Sequence, residues 1–531
     1  MMKKLLLIPL LALALVFQPI NADAATKTTY TEEVKVSVYR STSPNVSITL
    51  KGMYAVDSSY LSKRFIEHNT TLSITRNGSN LSVGFGRESA TSGYDIPVNE
   101  YQGSLITAAS GMVNIRDIPT TTEESKVITT MDNREAAEYL GESKNTNDVH
   151  SPWYKVNVKG ITGWIASSVS NGPTTYPQSL GRNFSTFQVD GKEYRGSFII
   201  KKYGSNGIEI VNVLGIEDYI KGVVPNESYP SWHMEALKAQ SVTARSYAYA
   251  SGILSNTTSS QVYNGFSSEH SRTNEAVEAT KGEVVKYQGK PIMTFFGAAS
   301  GGVTANYGDV WSSGGHKPYY ASVPDPYEAQ AIAEAGAMVQ RAHKWTFNYS
   351  ANELLSEYTL VTKQPFSPTV SLLDMEITKT GANGEVSSVT YKTTDGTFTR
   401  TGNEGQIRAI FPSEPAFYNM LPSSMFNVSY TKDYTVKLAD QDVDAFSVYN
   451  QKIQLPNGTQ SITGTDVNIL SSSGTVSHPS APKTITVSGG GWGHRIGMSQ
   501  WGAQGFAKFG NKNYKEILVH YYPGTEVSSQ Y

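Results

Sequence analysis

The stretch Tyr219-Ile220-Lys221-Gly222-Val223-Val224-Pro225-Asn226-Glu227-Ser228-Tyr229-Pro230-Ser231-Trp232 runs on into His233-Met234-Glu235-Ala236-Leu237-Lys238-Ala239-Gln240-Ser241-Val242-Thr243-Ala244-Arg245-Ser246-Tyr247-Ala248, and its reading decides the fold. Pro225 and Pro230 bracket Glu227. A proline lacks an amide donor and fixes φ, so Glu227 is expected in a stiff loop. The following residues are rich in Ala, Leu, Lys, Gln and Arg and predict a helix. Ser231 is its expected N-cap, and Glu235 falls in the first turn, where the positive end of the helix dipole favours an acid. One carboxylate on a rigid corner beside a helix suits general acid catalysis. The rival use of Glu227 is a structural ion pair with Arg245 or Lys221.

Outward on the N-terminal side, 187–189, 194–200 and 208–214 read as strands, with Gly172-Pro173 as a linker before them. Residues 101–171 form a separate small unit of short strands between Pro and Gly turns, and residues 26–100 are β-rich, with Asn77-Gly78 as a hairpin turn. On the C-terminal side, Ser300-Gly301-Gly302 would let a backbone approach a ligand closely. A helix near 351–357 and strands near 372–378 and 386–393 follow, then a polar, turn-rich insert over 433–482. The chain closes on Gly489-Gly490-Gly491-Trp492-Gly493-His494-Arg495-Ile496-Gly497-Met498-Ser499-Gln500-Trp501-Gly502. So many glycines around aromatic and polar groups carry a cost in chain entropy that a plain core would not require. The fold class is α+β: a β-rich domain over 181–531 with a central helix after the Glu227 loop, and a small β-barrel beside it. The strands at 34–99 are a candidate part of the same domain, which makes the small unit an insertion.

Lys3 and Lys4, an apolar run over 5–17 and Ala22-Asp23-Ala24 read as an export signal covering residues 1–25. The run is too short to span a bilayer comfortably, and no later segment is a membrane-helix candidate. A net charge of −2 argues against a nucleic-acid binder. With no cysteine there is no disulfide and no thiolate metal site, so stability rests on the cores. The 32 tyrosines and 7 tryptophans suit both sugar stacking and sheet packing.

Asn114-Ile115-Arg116-Asp117-Ile118-Pro119, Trp153-Tyr154-Lys155-Val156 and Gly160-Ile161-Thr162-Gly163-Trp164 resemble a bacterial SH3-like domain, which implies a small barrel that binds cell-wall material or serves as a folded spacer. Gly222-Val223-Val224-Pro225-Asn226-Glu227, Ala236-Leu237-Lys238-Ala239-Gln240, Ala244-Arg245-Ser246-Tyr247-Ala248, Ser300-Gly301-Gly302 and the Gly491-Trp492-Gly493-His494 and Gly497-Met498-Ser499-Gln500-Trp501-Gly502 runs resemble the SpoIID/LytB family of exported peptidoglycan proteins. The resemblance covers 181–328 and 485–527, and more weakly 345–426. It implies a lytic transglycosylase acting on glycan strands stripped of stem peptides, with Glu227 as catalyst, in one branch. In the other it implies a non-catalytic enhancer of a separate wall amidase. The chain departs from the pattern at Phe296-Gly297-Ala298-Ala299-Ser300, which lacks the usual His, and at Arg495, where glycine is usual. Some members hold zinc with cysteines; none is present here, so no metal and no cofactor is expected.

The chemistry needs one acid. It protonates the bridging oxygen, the 6-hydroxyl of the sugar attacks the anomeric carbon, and the ionised residue takes that hydroxyl's proton, leaving a 1,6-anhydro end. Such an acid must begin protonated, which calls for apolar neighbours; Val223, Val224, Tyr229 and Trp232 are the expected wall. Gln240, Arg245 and Tyr247 either bind sugar hydroxyls or pack beneath the site. Ser300, Gly301 and Gly302 are expected to bind substrate, and His494 and Gln500 either line the groove or hydrogen-bond structurally. Trp492 and Trp501 either stack on pyranose rings or belong to the core. The expected partners are peptidoglycan glycan strands and a cell-wall amidase, at the wall outside the cell.

Overall fold

The structure is a computed structural model and describes residues 33–58, 61–66, 68–85, 88–178, 181, 183–311, 315–381, 383–430, 437–438, 441–442, 452–461, 466–471, 474–479 and 484–531. The expected export signal lies outside the described residues, as does much of the insert at 433–482. The chain divides into two compact units. Among the described residues the first holds 33–230 with 248–278, and the second holds 231–247 with 279–531, so the boundary falls within 181–531.

Alternation builds the first unit. In Asn45–Lys51, Val46, Ile48 and Leu50 are buried while Asn45 and Ser47 face solvent, the period-two pattern of a half-buried strand. Its neighbours Thr186–Val189 and Thr71–Asn77 pair with it in a six-stranded sheet, and Gly78 turns the following hairpin at φ +59°. In a second sheet, of seven strands, Gly207–Gly215 pairs with Glu33–Ser41 on one side and Ser197–Tyr203 on the other, and Ser197–Tyr203 pairs in turn with Ile96–Glu100. Strands from before residue 101 and after residue 185 therefore share both sheets.

Between them, residues 103–176 form a third sheet in the order Val127–Met131, Val113–Arg116, Ile161–Ala166, Trp153–Val158, Ala136–Lys144, Gly103–Thr107, Thr174–Tyr176. Ile106, Val113, Ile115, Met131, Val156 and Ile165 make its core. The ladder is open: closure of the expected barrel would need Val127–Met131 to pair with Thr174–Tyr176, and among the described residues they do not. Its two motif glycines have different causes. Gly160 turns the hairpin at φ +88°, whereas a Cβ on Gly163 would lie 2.6 Å from Cγ2 of Ile115 and 2.8 Å from the Arg116 carbonyl oxygen.

Helix α1 (Ile216–Glu227) corrects the loop expectation: it runs through Pro225 and ends on Glu227. Proline in a helix costs roughly 3 kcal/mol. Against this, Ile216, Tyr219, Ile220, Val223 and Val224 are all buried, and each contributes roughly 1.5–3 kcal/mol. The Ser228 N–H still closes on the Val224 carbonyl at 2.9 Å. Helix α2 (Met234–Ala250) begins beyond the reach of Ser231. His233 caps it instead, Nδ1 accepting from Glu235 N–H at 3.3 Å and its carbonyl accepting from Ala236 and Leu237 at 3.0 and 3.1 Å.

In the second unit, Thr484–Gly490 lies between Lys344–Ser350 and Phe426–Tyr430, and Leu372–Thr380, Glu385–Thr393 and Gly396–Thr401 form a meander. The helix Ala351–Thr362 starts on a capping box of Ser350 and Glu353. One core gathers Val242, Val285, Ile496, Met498 and Leu518; another gathers Leu354, Tyr391, Ile407, Phe411 and Val487. No described helix is long and apolar enough to cross a membrane.

Replacing Gly163 by Ala overfills a site bounded by backbone, and is expected to destabilise the protein by about 1–3 kcal/mol. Urea unfolding of the variant checks this, with Gly160→Asn as the comparison that tolerates positive φ.

Candidate active site

Glu227 is 1 % exposed, and its Oε1 accepts the Val262 N–H at 2.8 Å. The end of α1 is tied to the 262–268 segment beside it: Asn226 Nδ2 donates to the Gly222 carbonyl at 2.7 Å and to Ser268 Oγ at 2.9 Å, and Asn264 Nδ2 donates to Asn226 Oδ1 at 2.7 Å. Gly222 is small because a Cβ there would come 2.5 Å from the ring of Tyr263, which in turn donates to Asn212 at 2.9 Å. The Lys221 ammonium sits on Glu278 at 2.6 Å and Asp218 at 3.4 Å, not on Glu227. Val223 and Val224 are fully buried, and Tyr229 is partly so.

The second unit gathers most of the other predicted residues, all buried but the half-buried Gly302. Ala299 and Trp492 exchange backbone hydrogen bonds at 3.2 and 2.8 Å, Phe296–Gly297 runs parallel to Met498–Ser499, and the Trp501 N–H donates to the Ala298 carbonyl at 3.1 Å. Gln500 Nε2 lies 3.5 Å from Gln240 Oε1, and the Trp501 ring meets Trp232 edge-on at 4.8 Å. Trp492 packs edge-on against Phe417. Arg245 donates to the Glu283 carbonyl at 3.0 Å, and Tyr247 meets the edge of Phe295.

Ser300-Gly301-Gly302 is a hub of backbone, not an open cradle. A Cβ on Gly301, at φ +77°, would lie 2.6 Å from Gly490 C and Gly491 N. The turn encloses Glu328, a residue that nothing in its local sequence marks, since an acid at the start of a short helix reads as a capping charge. Glu328 accepts from Ser300 N–H and Oγ, Gly301 N–H (2.8 Å), Ser499 Oγ (2.7 Å) and the His343 ring (2.8 Å). Burial works against its charge, but the bonds from His343, Ser300 and Ser499 outweigh it and hold the carboxyl below its ordinary range. Asp325 is the opposite case: burial, then the charge of Glu328, push it well above the carboxylate range. Ser300 Oγ lies 2.9 Å from Asp325 and 2.6 Å from Glu328. Ser300 Oγ–H is shared between the two carboxyls, and a further bond from Asp325 to the charged Glu328 favours the protonated form of Asp325.

His494 is buried, its Nδ1 accepting the Ile496 N–H at 3.0 Å; burial pushes its pKa down to about 4 despite the charge of Glu404 and a bond to the Phe296 carbonyl. The imidazole is therefore neutral. Arg495 stands at φ +63°, the left-handed region that suits glycine. Its side chain offsets that strain: it donates to the Ser300 and Val303 carbonyls, both at 2.7 Å, and pairs with Glu385 at 3.0 Å, each partner 1 % exposed.

Arg495→Met leaves Glu385 buried without its cation, and a loss of about 3–5 kcal/mol is expected by urea unfolding. For His494 the unfolded ring takes a proton near 6.5, but the folded ring only near 4. The stability held by the neutral ring is complete above pH 6.5 and drains away as pH falls toward 4, by roughly 3 kcal/mol. Unfolding curves at pH 7 and 4.5 should show the wild type losing more stability than His494→Gln.

Among known proteins, the family described as Stage II sporulation protein (SpoIID) matches residues 204–287, which contain α1, Glu227 and α2. The bacterial SH3 domain matches residues 111–170. The amidase enhancer of Bacillus subtilis (strain 168) is 30% identical over 374 residues, 67% of this chain and 48% of that protein, so the chain spans about half its length. Uncharacterized protein BHWA1_00569 of Brachyspira hyodysenteriae (strain ATCC 49526 / WA1) is 30% identical over 353 residues, 64% of this chain and 74% of that protein. Stage II sporulation protein D of Bacillus subtilis (strain 168) is 24% identical over 341 residues, 60% of this chain and 76% of that protein. A SpoIID domain around Glu227, a bacterial SH3 domain before it, and relatives aligned over most of the chain place this protein in the Stage II sporulation protein D family.

Proposed function

We propose that the protein remodels the bacterial cell wall from outside the cell, cleaving peptidoglycan glycan strands as a lytic transglycosylase with Glu227 as its acid and base. The observation that carries this reading is the setting of Glu227: one carboxyl at the last residue of a packed helix, its Oε1 fixed by a peptide N–H at 2.8 Å. A single fixed carboxyl is what the anhydro-forming route requires. Its proton passes to the bridging oxygen as the glycosidic bond breaks. The 6-hydroxyl of the same sugar closes on the anomeric carbon, and its proton returns to Glu227. Hydrolysis would need a second carboxyl and a water. The bacterial SH3 domain is the wall-adhering part.

One observation favours a second reading. Glu227 is 1 % exposed, so a glycan reaches it only if the residues covering it move aside. Without that opening the protein is a wall-bound enhancer of a separate amidase, in line with its similarity to the amidase enhancer.

Purified protein and Glu227→Gln are incubated with peptide-free glycan strands and with intact sacculi, and the fragments are read by mass spectrometry. Anhydro ends are expected from the wild type on peptide-free strands, with at least a hundredfold fewer from Glu227→Gln. Absence of new ends on both substrates, with stimulation of an added wall amidase, establishes the enhancer reading instead.

A further inference from the structure

The first unit contains a pocket of about 650 Å³ that Glu227 does not line. Its walls include residues 99–102 and 183–184, the two crossings by which the SH3-like sheet joins the rest of the unit. The remaining wall comes from Glu33, 195–197, 213–215 and, on α1, Asp218 and Lys221. The amides of Asn99 and Asn183 stand exposed at its rim, and that of the exposed Gln102 is hydrogen-bonded to Glu100. Below them, Glu100 accepts the Ser185 N–H at 2.5 Å, and the Glu100 N–H donates to Ser197 Oγ at 2.9 Å, which leaves the serine proton to be donated. Phe184 supplies the apolar surface, with the Arg195 guanidinium 3.6 Å from its ring centroid on one side and the edge of Phe266 at 5.3 Å.

The cations in the wall are already matched. Arg195 holds Glu269 through two bonds of 2.5 and 2.7 Å, and Lys221 holds Glu278 at 2.6 Å. A phosphate or carboxylate ligand would have to break an ion pair to gain one. Beside these pairs and the carboxyls of Glu33 and Glu100, the pocket presents neutral groups: the amides of Asn99 and Asn183, which donate and accept side by side, a hydroxyl, and the Phe184 ring packed against Arg195 and Phe266. Amides of this kind bond vicinal hydroxyls and acetamido groups in both directions, and a ring takes the apolar face of a pyranose.

We propose that this pocket is a saccharide site, separate from Glu227, that takes a short run of N-acetylated hexose. The inference rests on the peptidoglycan reading for the source of that sugar. In that setting it would hold a glycan strand at the root of the SH3-like domain.

The test uses the full chain carrying Glu227→Gln, with a diazirine-labelled chitotetraose as probe and mapping of the crosslinked peptides. Labelling is expected on peptides containing residues 99–102 or 183–184. Asn99→Ala with Asn183→Ala, both exposed positions, should reduce that labelling at least tenfold while leaving the thermal melt in place. Unlabelled chitotetraose should compete; maltotetraose and a free stem peptide should not. Label confined to other peptides, label indifferent to the double substitution, or competition by the stem peptide overturns the proposal. The two readings fail separately: strand cleavage by the wild type without pocket labelling defeats this inference alone, and pocket labelling without any cleavage defeats the transglycosylase reading alone.

Discussion

The buried carboxylate of Glu328 is the constraint on which the second unit depends. It gathers donors from the Ser300-Gly301 turn, from Ser499 and from His343, the farthest of them 171 residues from it in the chain, and with those bonds removed a charge would be left inside the protein. A buried charge of that kind is tolerated only when fully bonded. The neighbouring Asp325 carries the complementary proton, so the pair holds one negative charge, not two.

From this hub follows the glycine content of the last glycine-rich run of the chain. Gly491, at φ +86°, lies with its would-be Cβ 3.0 Å from the Ser300 carbonyl, and a Cβ on Gly502 would fall 2.1 Å from Asp325. Backbone and buried side chains press on these glycines at distances that leave no room for a Cβ, which explains glycine without any ligand. Arg495 is the instructive exception. It occupies a glycine-like conformation, and its guanidinium links the same turn to Glu385.

The first unit solves a different problem. Its two sheets are assembled from strands that precede and follow the SH3-like sheet, so that sheet is added without interrupting the β-core. The last strand of the core, Gly207–Gly215, feeds directly into α1. The position of Glu227 is therefore fixed by the packing of Tyr219, Ile220 and Val223 beneath it, and by the 262–268 segment at its end. The polar pocket lies at the opposite end of the same helix, where the SH3-like crossings meet it.

The local pattern of residues was enough to recognise the β-rich α+β class, the SH3 motifs, the Asn77-Gly78 turn and the helix after Glu227, because alternation, turn chemistry and helix propensity are short-range properties. Glu227 is singled out in the chain only by its motif. Other features were decided by tertiary packing. Pro225 lies inside a helix because five buried side chains outweigh one missing bond, and His233 replaces Ser231 as cap because the helix starts later. Trp492, His494, Gln500 and Trp501 have buried side chains, a property that no spacing of residues encodes. Glu328 and the pocket at Asn99 and Asn183 left no trace in the chain order, since each is made by segments far apart in sequence that come together only when the sheets and turns close.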